Sequence, residues 1–100
     1  MKATQGHRAT PAAPTLPTLV TVPSEMTVGW TAAVNPDSWD VRLIDATSGQ
    51  VAAASEIPAA RSHLFTDVMS DEHFYYGMIR ANTAGEPGPW VITPTVQYSS

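Results

Sequence analysis

From Leu16 onward the chain alternates between apolar and polar positions with a period of two, the signature of half-buried strands. Thr18, Val20 and Val22 fall on one face, with Leu19 and Thr21 on the other, and the run stops at Pro23-Ser24. Met26, Val28 and Trp30 alternate with Thr27, Gly29 and Thr31; Trp39, Val41 and Leu43 alternate with Asp40, Arg42 and Ile44. Between these two sets lies Asn35-Pro36-Asp37-Ser38, a cluster that turns the chain through local side-chain-to-backbone bonds. Ala46-Thr47-Ser48-Gly49-Gln50 is a second turn, with Gly49 at its positive-φ position. Val51–Pro58 holds good helix formers for only a turn and a half before proline, too short to stand as a helix, so it is expected as a short edge strand. Further strands are expected over Leu64–Val68 and Phe74–Ala81, and across Trp90–Tyr98, where Pro94 restricts the strand to an edge. The count is about seven short strands with turn signals every 8 to 12 residues, which predicts an all-β Greek-key sandwich in two antiparallel sheets.

Residues 1–13 do not continue this pattern. Ala9-Thr10-Pro11-Ala12-Ala13-Pro14 has nothing to bury, and its prolines exclude a helix. The expected division is an extended arm or linker over 1–13 and a sandwich domain over 14–100. Lys2, His7, Arg8, Pro11 and Pro14 are the arm's candidate partner contacts.

Composition narrows the function classes. In 100 residues there is room for one real core and not for two. Five basic and nine acidic residues leave a net charge of −4, and the basic ones are scattered, so no nucleic-acid partner is expected. Without cysteine there is neither a disulfide nor a thiolate metal site. No run approaches the roughly 20 apolar residues of a membrane span, and the first eight residues lack the apolar core of a secretory signal.

Candidate chemistry is sparse. His7, His63 and His73 are the three histidines, and no Gly-x-Ser-x-Gly elbow or phosphate-cradling glycine loop accompanies them. Asp71-Glu72-His73 is the densest polar cluster, but adjacent side chains on a turn diverge, so it reads as a solvated turn. Asp37, Asp40 and Asp45 lack the spacing of a calcium loop. No enzyme activity, metal or cofactor is expected. Trp30 and Trp39 read as core, and Trp90, after Gly88-Pro89, as a cover over the open end of the core.

Five pieces in order resemble a fibronectin type III domain over roughly residues 14–97: Val28-x-Trp30, Trp39-Asp40-Val41-Arg42-Leu43, Phe65-Thr66-Asp67-Val68, an aromatic after the Met69–His73 turn, and Asn82-Thr83-Ala84-Gly85-Glu86-Pro87. The resemblance implies a core built on Val28, Trp30, Trp39, Val41, Leu43 and Val68. It also implies a corner tyrosine, for which two registers compete. One puts Phe74, Tyr76, Met78 and Arg80 inward; the other puts Tyr75, Ile79 and Ala81 inward. Burying Arg80 without a partner is expensive, which favours Tyr75. The Arg-Gly-Asp tripeptide of some members is absent, and so is any Asn-x-Ser/Thr acceptor.

A non-enzymatic structural or binding module is therefore expected. Sandwiches of this resemblance decorate phage capsids and tails, which makes a virion protein docked to neighbouring subunits through its arm, or touching a surface glycan, the favoured expectation. The alternative is an adhesive or spacer module excised from a larger secreted or cell-surface protein.

Overall fold

The computed structural model describes residues 10–100. Nine strands run in the order β1 (Thr15–Val22), β2 (Glu25–Thr31), β3 (Ser38–Asp45), β4 (Gln50–Ile57), β5 (Ser62–Thr66), β6 (Phe74–Thr83), β7 (Glu86–Pro87), β8 (Val91–Ile92) and β9 (Val96–Gln97). The smaller sheet has the order β1-β2-β5. The larger has the order β4-β3-β6, with β7, β8 and β9 each pairing along the far side of β6. All pairings are antiparallel. The excess over seven strands comes from the last segment. Pro94 cannot donate to a ladder, so the expected Trp90–Tyr98 strand is cut into β8 and β9, and β7 is a further two-residue pairing after the turn at Ala84-Gly85. At the break after β8 the Thr93 N–H donates to the Gly77 carbonyl, and the Thr93 hydroxyl accepts from the Gly77 N–H at 2.9 Å.

The core sits between the sheets. Met26, Val28 and Trp30 of β2 face Trp39, Val41 and Leu43 of β3 and Tyr75, Ile79 and Ala81 of β6, all buried. The Trp30 and Trp39 rings meet at 5.4 Å with a 59° tilt, a favoured geometry for indole pairs. Leu19 is the inward residue of β1, while Val20 and Val22 are exposed. At Gly77 the two sheets approach closely: a Cβ there would lie 2.7 Å from Val28 Cγ2.

The Tyr75 register is the one adopted. Tyr75 is fully buried, Phe74 is 46% exposed, and Arg80 points to the outer face. The Ser70 N–H donates to the Tyr75 hydroxyl at 2.6 Å, which ties the corner to β6. The turn absorbs the shifted residue through Asp67 and Glu72, whose φ values are 59° and 67°. Val68 is a correction: it is 41% exposed and not part of the core. β5 ends at Thr66 because Asp67 enters the left-handed region, where its N–H reaches the Ser24 carbonyl. The apolar positions there are supplied instead by buried Phe65 and by Met69, which packs against the core from the corner.

Candidate functional site

Outward-pointing residues of β3, β4 and β6 make the most differentiated surface of the domain. Because strand side chains alternate, Ser38, Asp40 and Arg42 share the outer face with Ala54 and Glu56 of β4 and with Met78, Arg80 and Asn82 of β6. Arg80 Nε donates to Asp40 Oδ2 at 2.8 Å. The Ser38 hydroxyl donates to Glu56 Oε2 at 2.7 Å and accepts from Asn82 Nδ2 at 3.3 Å. Trp90 lies on this same face. The Arg80 and Arg42 guanidinium groups sit 4.4 and 4.8 Å from its ring centroid.

That placement corrects the expectation for Trp90. The residue after Pro89 is drawn onto the outer face of the larger sheet by two cations and does not cover the end of the core. The two guanidinium groups tie Trp90 to the strands of this face. Nothing in the sequence places Arg42 and Arg80 beside Trp90; the signal available was only the shared outer-face parity of 40, 42, 80 and 82.

The candidate arm divides at Thr10. Lys2, His7 and Arg8 lie outside the described residues. Pro14 is buried and Pro11 half-buried. Pro11 packs on Gly88, where a Cβ would sit 2.8 Å from the Pro11 carbonyl oxygen and 3.1 Å from its Cβ. Thr10–Ala13 thus form one wall of an apolar cleft of about 270 Å³, opposite Ala32–Pro36, with Trp39 and Ala81 at its base. Both prolines are contacts within the domain.

Among the described residues, no group of three or more His, Asp or Glu is placed to hold a metal. Asp71, Glu72 and His73 do not converge: Asp71 Oδ1 accepts from the Ser100 N–H, while His73 Nδ1 lies 2.7 Å from Asp45 Oδ2. His63 is placed elsewhere, in the Val28 row of the smaller sheet, edge-on to Phe65. Among the described residues, no serine or threonine hydroxyl hydrogen-bonds His63 or His73.

The role of Asp45 is structural. Its Oδ1 accepts from the Thr47 and Ser48 N–H groups, which holds the β3–β4 turn, and its Oδ2 ties that turn to the residue before β6. Burial acts to raise the Asp45 pKa. The His73 hydrogen bond and charge, together with the two turn amides, outweigh it, and the carboxyl is held below its ordinary value. A depressed native pKa contributes stability that is present above the unfolded-state value, about 3.9, and is lost as pH falls through the native one. Asp45→Asn should therefore lower the melting temperature at neutral pH. The gap to wild type should narrow steadily below about pH 4, as read by thermal melts in a pH series.

No family model matches the sequence, and no curated protein matches it. Solved structures do match the fold. The fn3 domain of the human collagen alpha-1(XX) chain superposes with a TM-score of 0.75 at 18% identity, over 95% of this chain and 91% of that one. The fold is that of a fibronectin type III domain. An Fn3-like protein from Clostridium thermocellum gives 0.71 at 19% identity over 92% and 97% of the two chains. The FN5 domain of Drosophila Lar gives 0.71 at 13% identity over 90% and 98%. Coverage near the full length on both sides means that the fibronectin type III fold accounts for essentially all of the described chain.

Proposed function

We propose that this fibronectin type III-fold chain is a non-enzymatic module mounted in series with other domains of an extracellular protein, spacing them and presenting the outer face of its larger sheet. One observation carries the reading: the chain comes in and leaves at opposite poles. At one pole Pro11 rests on Gly88, Thr15 pairs with Thr31, and Ser38 pairs with Asn82. At the other the Ser24 N–H donates to the Tyr98 hydroxyl, Phe74 pairs with Gln97, and Ser100 bonds Asp71. A module built this way adds its own length between its neighbours, and its flanks stay free for lateral contacts.

The runner-up reading is a virion protein, decorating a capsid or tail and held to neighbouring subunits by its first residues. The intramolecular packing of Pro11 and Pro14 leaves only the segment before Thr10 to act as that arm, with Lys2, His7 and Arg8 as its contacts. Reading the genomic frame on both sides of the coding segment tests the two together. The serial-module reading expects an open frame continuing into further domains. Stops on both sides, with the product co-sedimenting with particles and released by deleting residues 1–9, would overturn it in favour of the virion.

A further inference from the structure

Three of the four sheet edges are blunted. β1 carries Pro17 and a register shift between Thr15 and Thr18, with Leu16 at φ 51°. β5 is only five residues long. The far side of the larger sheet is broken into two-residue pieces, with Pro87 and Pro94 along it. These are the usual protections against edge-to-edge pairing. β4 is the least protected. Among the described residues it pairs only with β3, runs for eight residues and contains neither proline nor a basic residue; its one interruption, the bulge at Ala52, lies near its start, and Ala53–Ser55 beyond it are small.

We infer that β4 is a self-association edge, where a second copy of this chain adds its own β4 antiparallel. The bulge sets the register. Leu43 pairs with Ala53 and Ile44 with Val51, so Ala52 is left out and the regular stretch is Ala53–Ile57. Ser55 is its midpoint. A two-fold axis through Ser55, perpendicular to the sheet, uses all five residues and keeps the outer faces on one side. Ser55 then meets its own copy, Ala53 meets Ile57, and Ala54 meets Glu56.

This register resolves an electrostatic mismatch in the single chain. Glu56 stands directly opposite Asp40, a like charge. Asp40 is neutralised by Arg80, but among the described residues Glu56 has only the Ser38 hydroxyl. Arg42 has no carboxylate among the described residues; its guanidinium rests on Trp90. Arg42 is the β3 partner of Ala54, so in the pair the order across the sheet is Arg42, Ala54, then the second copy's Glu56. Two strand spacings, about 10 Å, separate the two backbones, with only a methyl group between. Asp40, Arg42, Ala54, Ser55, Glu56 and Arg80 already line a groove of about 350 Å³ above this point, into which the incoming carboxylate fits. Symmetry repeats the contact, and Trp90 keeps Arg80 on its ring when Arg42 turns to the carboxylate.

Sedimentation equilibrium of the full chain tests this. The expected result is a monomer–dimer equilibrium with a dissociation constant on the order of 100 µM, fitting an interface at the small end of the range. Glu56→Arg and Arg42→Glu should each weaken it about tenfold or more by opposing like charges. An equimolar mixture of the two variants should recover association, because the mixed pair has one Arg–Glu contact in each row. Independently of any variant, amide exchange of Ala53–Ile57 should slow with rising wild-type concentration. A chain that stays monomeric to about 1 mM, association insensitive to both charge reversals, or a β4 edge occupied only by a foreign extended peptide would each overturn the proposal.

Discussion

Trp39→Ala should cost about 3–5 kcal/mol of folding stability, the largest loss expected from a single side chain in this domain. Trp39 is 1% exposed, packs at a tilt against Trp30, and lines the Pro11 cleft, with the Arg61 guanidinium 5.6 Å from its ring centroid. Its truncation would therefore open a cavity reaching from the core to the pole where the chain comes in. Against a total stability of roughly 5–15 kcal/mol, this brings the chain close to unfolding at physiological temperature. Trp39 Nε1 is buried with no hydrogen-bond partner, so the indole contributes through packing and its contact with Arg61 and through no hydrogen bond. Trp39→Phe also removes that orphaned donor and should cost no more than about 2 kcal/mol. Urea titrations of both variants check the pair. Equal losses would mean that the donor has a partner after all.

The second large effect is expected at Gly77. In a strand, alanine ordinarily gains about 0.5–1 kcal/mol over glycine, so a surface argument predicts stabilisation. Space reverses the sign. The new Cβ would meet Val28 Cγ2 at 2.7 Å, Val28 Cγ1 at 3.0 Å and Thr93 Cγ2 at 3.2 Å. Val28 is fully buried and β-branched, so it has no alternative rotamer to retreat into. Gly77→Ala should destabilise by about 1–3 kcal/mol, and pushing the sheets apart should also disturb the Gly77–Thr93 bonds that hold the last segment. The diagnostic is a double-mutant cycle. Val28→Ala loses packing by itself, yet added to Gly77→Ala it should cost less than the sum of the two, because each change makes room for the other. Simple additivity would place the clash elsewhere.

Both predictions bear on how the domain presents its faces. The outer side of the larger sheet is built on β3 and β6, whose inner sides carry Trp39 and Gly77's neighbours Tyr75 and Ile79. Arg42, Arg80 and Trp90 keep their mutual geometry only while that pair of strands is flat against the core. A core defect at either site should therefore weaken β4 self-pairing as well, by loosening the strand on which the edge is laid.

The strand pattern was legible residue by residue. Met26-Val28-Trp30 and Trp39-Val41-Leu43 alternate strictly because each strand has one buried and one solvated face, and burial then follows from parity. The corner register was legible for a related reason: only the Tyr75 frame spares Arg80 from the core. Val68 is assigned to the core only by the resemblance; the inward residue of β5 is Phe65, and alternation from it already puts Val68, three positions on, outside. Alternation alone makes Trp90–Tyr98 one strand; where Pro94 breaks it depends on which N–H groups face β6.

The site was far less legible. Trp90 and its two arginines come from three separate strands or loops, and the Asp45–His73 tie joins residues 28 apart in sequence. Local periodicity says which side of its own strand a residue occupies and nothing about which residue lies across from it. The all-β class and the hydrophobic layer were thus determined by the sequence alone, because each follows from composition and period two. The pairing of Arg42 and Arg80 on Trp90, the folding of Pro11 and Pro14 back onto their own domain, and the placing of β4 at a sheet edge were decided only by the tertiary structure, because each depends on which strands become neighbours.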